Sequence, residues 1–157
     1  MILHPPATGP DGAHLYRCRV YYEDTDAGGV VYHANYLRFA ERARTEALRD
    51  LGVPHAEMTA SAGLIFMVRR VKVDYLAPAR VDDSLAVVTR PLDVRAASVD
   101  LGQTIVRAAD DTDVPSFGRE LAVLHVQLAC VRLTDGRPAR LPPRWRAALA
   151  GLVQSKG

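Results

Sequence analysis

Apolar residues recur along this chain with two different periods, and the switch between them divides it into elements. From Leu15 to Tyr22 the pattern alternates. Tyr16, Cys18, Val20 and Tyr22 fall on one side and Leu15, Arg17, Arg19 and Tyr21 on the other, which predicts a first strand. From about Asn35 to Leu51 the spacing lengthens. Tyr36, Ala40, Ala43, Ala47 and Leu51 follow at intervals of four, three, four and four, the single stripe of an amphipathic helix. Gly52 comes next, as a helix end favours. Three of the stripe residues are alanine, so a neighbouring layer can approach this helix closely. Beyond Pro54 period two returns. Ile65–Tyr75, Leu85–Val94, Ser98–Ala108 and Arg119–Leu133 read as strands, separated by turn signals at Ala77-Pro78, Asp82-Asp83 and Asp110–Ser116. In the last of them Ala122, Leu124, Val126, Leu128 and Cys130 form an apolar face opposite His125 and Gln127. Pro142 and Pro143 open a short C-terminal helix with Trp145, Ala148, Leu149 and Leu152 on one side. One strand, a long helix and then four strands imply an α+β domain, with a five-stranded, largely antiparallel sheet over the helix.

Composition narrows the class without changing this picture. A chain of 157 residues suits one domain. Residues 15–153 are assigned to that domain, and the proline- and glycine-rich residues 1–14 to a disordered lead-in. Twenty basic against 18 acidic residues leave a net charge of +2, too weak a field for a nucleic-acid-binding protein. The two cysteines, Cys18 and Cys130, belong to no Cys/His cluster at metal-ligand spacing, so no metal is expected. Met1–His14 lacks the basic start and apolar run of a signal peptide, and no segment approaches the ~20 apolar residues of a membrane span. A cytoplasmic protein without a membrane span is the expectation.

Reactive residues crowd into one place, EDTDAGGVVYHANY (Glu23–Tyr36). It holds Glu23, Asp24, Asp26 and His33, two adjacent glycines and the start of the long helix. A helix N-terminus carries unpaired amides and a partial positive charge, suited to the oxygen of a polarised carbonyl. Gly28 and Gly29 let a substrate approach the backbone. A carboxylate just upstream then supplies the nucleophile or base that acyl transfer to water needs. The same composition also suits ordinary turn and capping chemistry, and the residues alone leave both readings open.

The run RVYYEDTDAGGVVYHANYLRFAERARTE (Arg19–Glu46) closely resembles the signature of the hotdog-fold acyl-CoA thioesterases. Within them it is most similar to the YbgC-type branch associated with the Tol-Pal operon, relatives of 4-hydroxybenzoyl-CoA thioesterase. The likeness continues through FMVRRVKVDYLAPARVDDSL (Phe66–Leu85) and, more weakly, through the later strands. It implies a hotdog fold, a five-stranded antiparallel sheet wrapped around the long helix, and hydrolysis of acyl-CoA to free acid and thiol. Asp26 would be the catalytic carboxylate, as nucleophile or as general base. His33 would orient or polarise beside a helix-end amide, and Gly29, Val30, Tyr32 and Tyr36 would line the substrate. Asp24 is left to loop hydrogen bonds, because two carboxylates held close oppose each other's ionisation. No cofactor is implied beyond coenzyme A within the substrate. An acyl carrier protein is a further candidate partner, and a homodimer or homotetramer the expected assembly. Leu51–Gly63 matches the family pattern poorly.

Other candidates carry less. Glu41 and Glu46 on the helix are reserve carboxylates with arginine neighbours that suit a solvated ion-pair face. Nothing near Cys18 activates it, and His125 is expected to be a structural, hydrogen-bonded residue. Arg132, Arg137, Arg140, Arg144 and Arg146 could meet coenzyme A phosphates or an acidic carrier, or be ordinary surface arginines. The competing functions are an acyl-thioester hydratase or dehydratase on the same fold, and a carrier- or envelope-complex binding module with weak catalysis.

Overall fold

The computed structural model describes residues 12–108 and 117–154. The expected lead-in lies outside them as far as residue 11. The elements run β1 (His14–Arg19), α1 (His33–Asp50), α2 (His55–Ala62), β2 (Leu64–Tyr75), β3 (Ser84–Val94), β4 (Ser98–Ala108), β5 (Phe117–Arg132) and α3 (Pro143–Gln154). The five strands form one sheet in the order β1-β3-β4-β5-β2, with every neighbouring pair antiparallel. The α+β, five-stranded architecture read from the sequence is the one observed.

The alanine stripe explains how α1 sits. Ala40 and Ala43 are fully buried and Ala47 nearly so, beside Tyr36, Phe39 and Leu48. With so little side chain between them, Gln103 of β4 reaches the helix backbone, its Nε2 donating to the Ala40 carbonyl at 2.9 Å and to Thr89 Oγ1 at 3.0 Å. Gln103 is 1% exposed, so these bonds satisfy a polar group that would be costly to bury alone. The helix ends as its glycine predicts. Gly52 takes φ +78°, and the amides of Leu51, Gly52 and Val53 turn back to carbonyls of the last turn. At the same end Asp50 Oδ2 lies 2.7 Å from Nε2 of buried His14, tying the start of β1 to the end of α1.

Three sequence expectations need correction. β1 begins one residue early, at His14, and stops at Arg19 rather than Tyr22. Tyr22–Asp24 is instead a single 3-10 turn, closed when Asp24 Oδ2 accepts the Tyr21 amide at 2.8 Å. Residues 55–62 carry a helix, α2, that the sequence pattern did not predict. Only Met58 of its eight residues is buried, so it has no stripe to read, and Pro54 before it and Gly63 after it, at φ +65°, set its ends. β5 shows the expected two faces, with Ala122, Leu124, Val126, Leu128 and Cys130 buried and His125 exposed.

β2 lies at one edge of the sheet, with its second side unpaired and with Met67, Val68 and Tyr75 each about half exposed. Among the described residues no helix is long and apolar enough to cross a membrane. Ala43→Leu should overpack the interface between α1 and the sheet and cost roughly 1–3 kcal/mol, read as a lower urea midpoint at unchanged m-value.

Candidate active site

The reactive segment folds into a tight loop leading into α1. Thr25 and Val31 face each other in an antiparallel bridge, and the Asp26 amide donates to the Val30 carbonyl at 2.9 Å. The reversal between them needs Gly29, at φ +78°, a conformation strained for any residue with a Cβ. Gly28 has a different task. Its amide donates to Asp26 Oδ1 at 2.8 Å, and a Cβ built there would stand 3.2 Å from that same oxygen. The carboxylate of Asp26 is thus oriented by backbone while the residue stays exposed.

Asp24 serves the loop, as expected. Beyond holding the Tyr21 amide, it accepts the Tyr32 amide at 2.9 Å and Asn35 Nδ2 at 2.8 Å on its carbonyl. Val31 donates to Ala79 at 2.8 Å and Val30 bridges Arg80, so the loop is stitched to the β2–β3 connection as well. These bonds set where α1 begins. Tyr32 is its N-cap and offers no side-chain cap; the Asn35 amide donates to the Tyr32 carbonyl at 2.8 Å, which leaves the His33 and Ala34 amides at the open end.

A cleft of about 300 Å³ opens beside that helix start. His33, Tyr36 and Tyr75 form its aromatic wall, with Leu76, Ala77 and Pro78 opposite. His33 is exposed and meets Tyr75 edge-on at 6.3 Å, while Tyr75 Oη donates to the His33 carbonyl at 2.9 Å. Tyr36 is 3% exposed and its hydroxyl accepts the Ala79 amide at 3.0 Å, so it can offer substrate only the edge of its ring. Burial raises its phenol pKa, keeping it neutral.

Of the sequence candidates, His33 and Tyr36 line this cleft, whereas Asp26, Gly29, Val30 and Tyr32 belong to the adjoining loop and helix cap. No hydrogen bond joins the Asp26 carboxylate to the His33 ring among the described residues. Tyr75, Asn35 and the orienting amide of Gly28 were not singled out from sequence. Period two puts Tyr75 on the helix-facing side of β2, but nothing in one strand tells which helix end it meets.

The remaining candidates resolve by their neighbours. Glu46 pairs with Arg49 on the helix surface, Arg132 with Asp135, and Arg144 with Glu57. His125 is exposed and 3.8 Å from Asp100, a weak contact rather than the firm hydrogen bond expected. Among the described residues no group of three His, Cys, Asp or Glu could hold a metal ion. Cys18 is no nucleophile at neutral pH, because burial pushes its thiol up to about 11, with Arg42 opposing and Asp24 adding to the shift.

One antiparallel sheet laid along a single long helix, with a carboxylate and an aromatic-walled cleft near the helix start, is the hotdog architecture of thioester-processing enzymes. A model of the thioesterase-like superfamily matches residues 20–149, and the chain belongs to that superfamily. It is 39% identical over 138 residues to the acyl-CoA thioesterase YbgC of Haemophilus influenzae, covering 88% of this chain and 95% of that one. To the acyl-CoA thioester hydrolase YbgC of Escherichia coli it is 43% identical over 124 residues, covering 79% of this chain and 86% of the other. The crystal structure of a probable thioesterase from Bartonella henselae matches with a TM-score of 0.73 at 34% identity, over 83% of this chain and 99% of that one. The protein is a thioester hydrolase.

The raised Cys18 pKa has a consequence for stability. The folded state keeps its proton above the ordinary value of 9.0, so this contribution is whole below pH 9 and is lost as pH rises from 9 toward about 11. The loss should be on the order of 2 kcal/mol, and Cys18→Ala should flatten it in denaturation curves taken across that window.

Proposed function

We propose that this protein hydrolyses acyl-CoA thioesters with Asp26 as its catalytic carboxylate. The observation that carries the reading is the Asp26 side chain itself, exposed yet oriented by the Gly28 amide, a few residues ahead of a helix N-terminus that no side chain caps. A thioester carbonyl oxygen directed at the first amides of α1 would be polarised by unpaired donors and the helix dipole. Asp26 then acts on the carbonyl carbon in one of two ways. As nucleophile it forms a mixed anhydride while the C–S bond breaks, the thiolate takes a proton from water, and a second water hydrolyses the anhydride. As general base it takes a proton from the attacking water, the tetrahedral intermediate expels the thiolate as the C–S bond breaks, and the proton passes from Asp26 to the leaving sulfur. The His33 ring, tilted against Tyr32 and edge-on to Tyr75, supports an orienting role. Neither path calls for a metal or prosthetic group, and the leaving thiol is coenzyme A or a carrier protein's equivalent arm.

A second copy of the chain belongs to this reading. The unpaired edge of β2 exposes Met67, Val68 and Tyr75 beside the charged Arg69, Arg70, Lys72 and Asp74, and pairing it with its own copy about a two-fold axis extends the sheet and covers that edge. A pairing over the whole strand sets the Tyr75 end of one copy beside the Leu64 end of the other, so each cleft lies at the interface.

Asp26→Asn keeps shape and loses charge, and should lower kcat by roughly 10²–10⁴-fold with KM little changed, measured as thiol release over short, long and aromatic acyl-CoAs. Retention of near-full activity would sink the assignment. Gly28→Ala pushes on Asp26 Oδ1 and nothing else within 4 Å. It should reduce kcat while leaving the urea midpoint within about 0.5 kcal/mol of the parent's stability; an unfolding shift with unchanged turnover would contradict this.

A further inference from the structure

On the helix-facing side of the sheet, α1, α2 and the Leu64 end of β2 enclose a second cavity, of about 350 Å³. Arg44, Thr45, His55 and Thr59 give it polar walls, over Phe66 and Leu128. Arg44, Phe66 and Leu128 also border a narrower and almost wholly apolar cavity of about 20 Å³ that reaches α3.

Arg44 is the group this cavity leaves unexplained. It is half-buried, and its Nη1 donates to Gln103 Oε1 at 3.1 Å, a neutral acceptor. Gln103 is itself held from the other side by Ala40 and Thr89, so its oxygen stays aimed at the guanidinium. Among the described residues Arg44 has no ion pair. Glu41 borders the same cavity but is exposed, and its charge reaches Arg44 only from beyond contact. Burial lowers the Arg44 pKa, yet a guanidinium keeps its charge at any ordinary pH. Burial, then the Arg44 charge, lower the His55 pKa below 6.5, so that ring is neutral at pH 7 and adds no second cation. Among the described residues the one hydrogen-bond acceptor of Arg44 is a neutral amide and the Glu41 carboxylate stays out of contact, so this partly desolvated cation gains from an anion that can enter beside it.

We infer that this cavity receives the far end of the acyl group whose thioester lies in the partner's cleft, and that Arg44 selects acyl groups ending in a carboxylate. The inference rests on the acyl-CoA reading and on the β2 pairing proposed above. Both cavities lie on the α1 side of the sheet, one at the Tyr75 end of β2 and the other at its Leu64 end. The two-fold brings those ends together. Arg44 lies 11 residues beyond His33 on α1, about 16 Å along the helix, so within one chain the two cavities are separate.

Two acyl-CoAs of equal chain length, glutaryl and pentanoyl, test the selection. The parent enzyme should show kcat/KM at least tenfold higher for glutaryl-CoA. Arg44→Met should remove that preference by raising KM for glutaryl-CoA alone, leaving pentanoyl-CoA within threefold, and Arg44→Lys should restore part of it. Equal kcat/KM for the two substrates in the parent, or an equal loss for both in Arg44→Met, overturns the inference. Calorimetric titration of Asp26→Asn with pentanoate and pentanamide needs no turnover. Saturable binding of pentanoate only, lost in Asp26→Asn/Arg44→Met, supports the Arg44 site even if no acyl-CoA is hydrolysed, in which case the catalytic reading alone fails. Absence of such binding, or binding indifferent to Arg44, overturns the site even if hydrolysis is brisk.

Discussion

Ala40, Ala43 and Ala47 let α1 lie so near the sheet that a glutamine side chain from β4 bonds directly to the helix backbone. Carbonyls inside a helix already accept one amide, so this second donor adds a positional constraint at a fixed point along the axis. Rotation of α1 would expose the alanines, and sliding would break the Gln103–Ala40 bond and leave a buried amide unpaired. The two ends of the helix inherit this constraint. Its start is held beside Tyr75 and the β2–β3 connection, and its middle directs Arg44 toward Gln103. The chemistry at one end and the cation farther along are therefore placed by the same small side chains.

Division of labour between two neighbouring carboxylates follows from the loop that joins β1 to this helix. Asp24 spends its carboxylate and its carbonyl on three donors from Tyr21, Tyr32 and Asn35, which closes the 3-10 turn and anchors the helix cap. Asp26, two residues on, accepts one backbone amide, from Gly28, and stays in contact with solvent. A group whose hydrogen-bonding capacity is used up by the fold makes a poor reagent. One held by a single bond has both a defined direction and a reactive oxygen. Exchange of the two roles would require the turn at Gly28-Gly29 to fall two residues earlier, where the sequence has Asp26 and Ala27 and no glycine to take φ +78°.

Long periodic segments were legible because burial imposes their period. The α1 stripe and the alternating faces of β5 were read residue by residue, and their burial follows the reading. α2 was not, since a helix that buries only Met58 leaves no stripe and its boundaries depend on Pro54 and Gly63. The end of β1 was misread because Tyr21 and Tyr22 continue an alternation that the Asp24 carboxylate interrupts by capturing the Tyr21 amide. At the candidate site the loop residues were visible as composition and by likeness to a family. Tyr75 and Arg44 were not, because their meaning comes from partners 42 and 59 residues away in sequence, the His33 carbonyl and Gln103. Periodicity reports which face a residue takes, and only the folded register reports what stands opposite.

The sheet carries α1 and, beside β3, α3, and the cleft at the start of α1 sits next to the edge strand β2. One helix face is spent on the core, so the cleft takes its walls from the helix start, the end of β2 and the β2–β3 connection, and among the described residues no strand lies beyond β2. Enclosing a substrate there calls for more chain, and on the pairing proposed above the open edge of β2 would take it from a second copy. Antiparallel self-pairing joins opposite ends of the strand, so the wall each cleft gains is the Leu64 end of its neighbour with the Arg44 cavity behind it. On the pairing proposed above, bond cleavage and recognition of the acyl tail would reside on different copies of one chain. Such a division lets the tail pocket vary without disturbing the loop that carries Asp26, since α2 and the start of β2 share no hydrogen bond with residues 23–33 among the described residues.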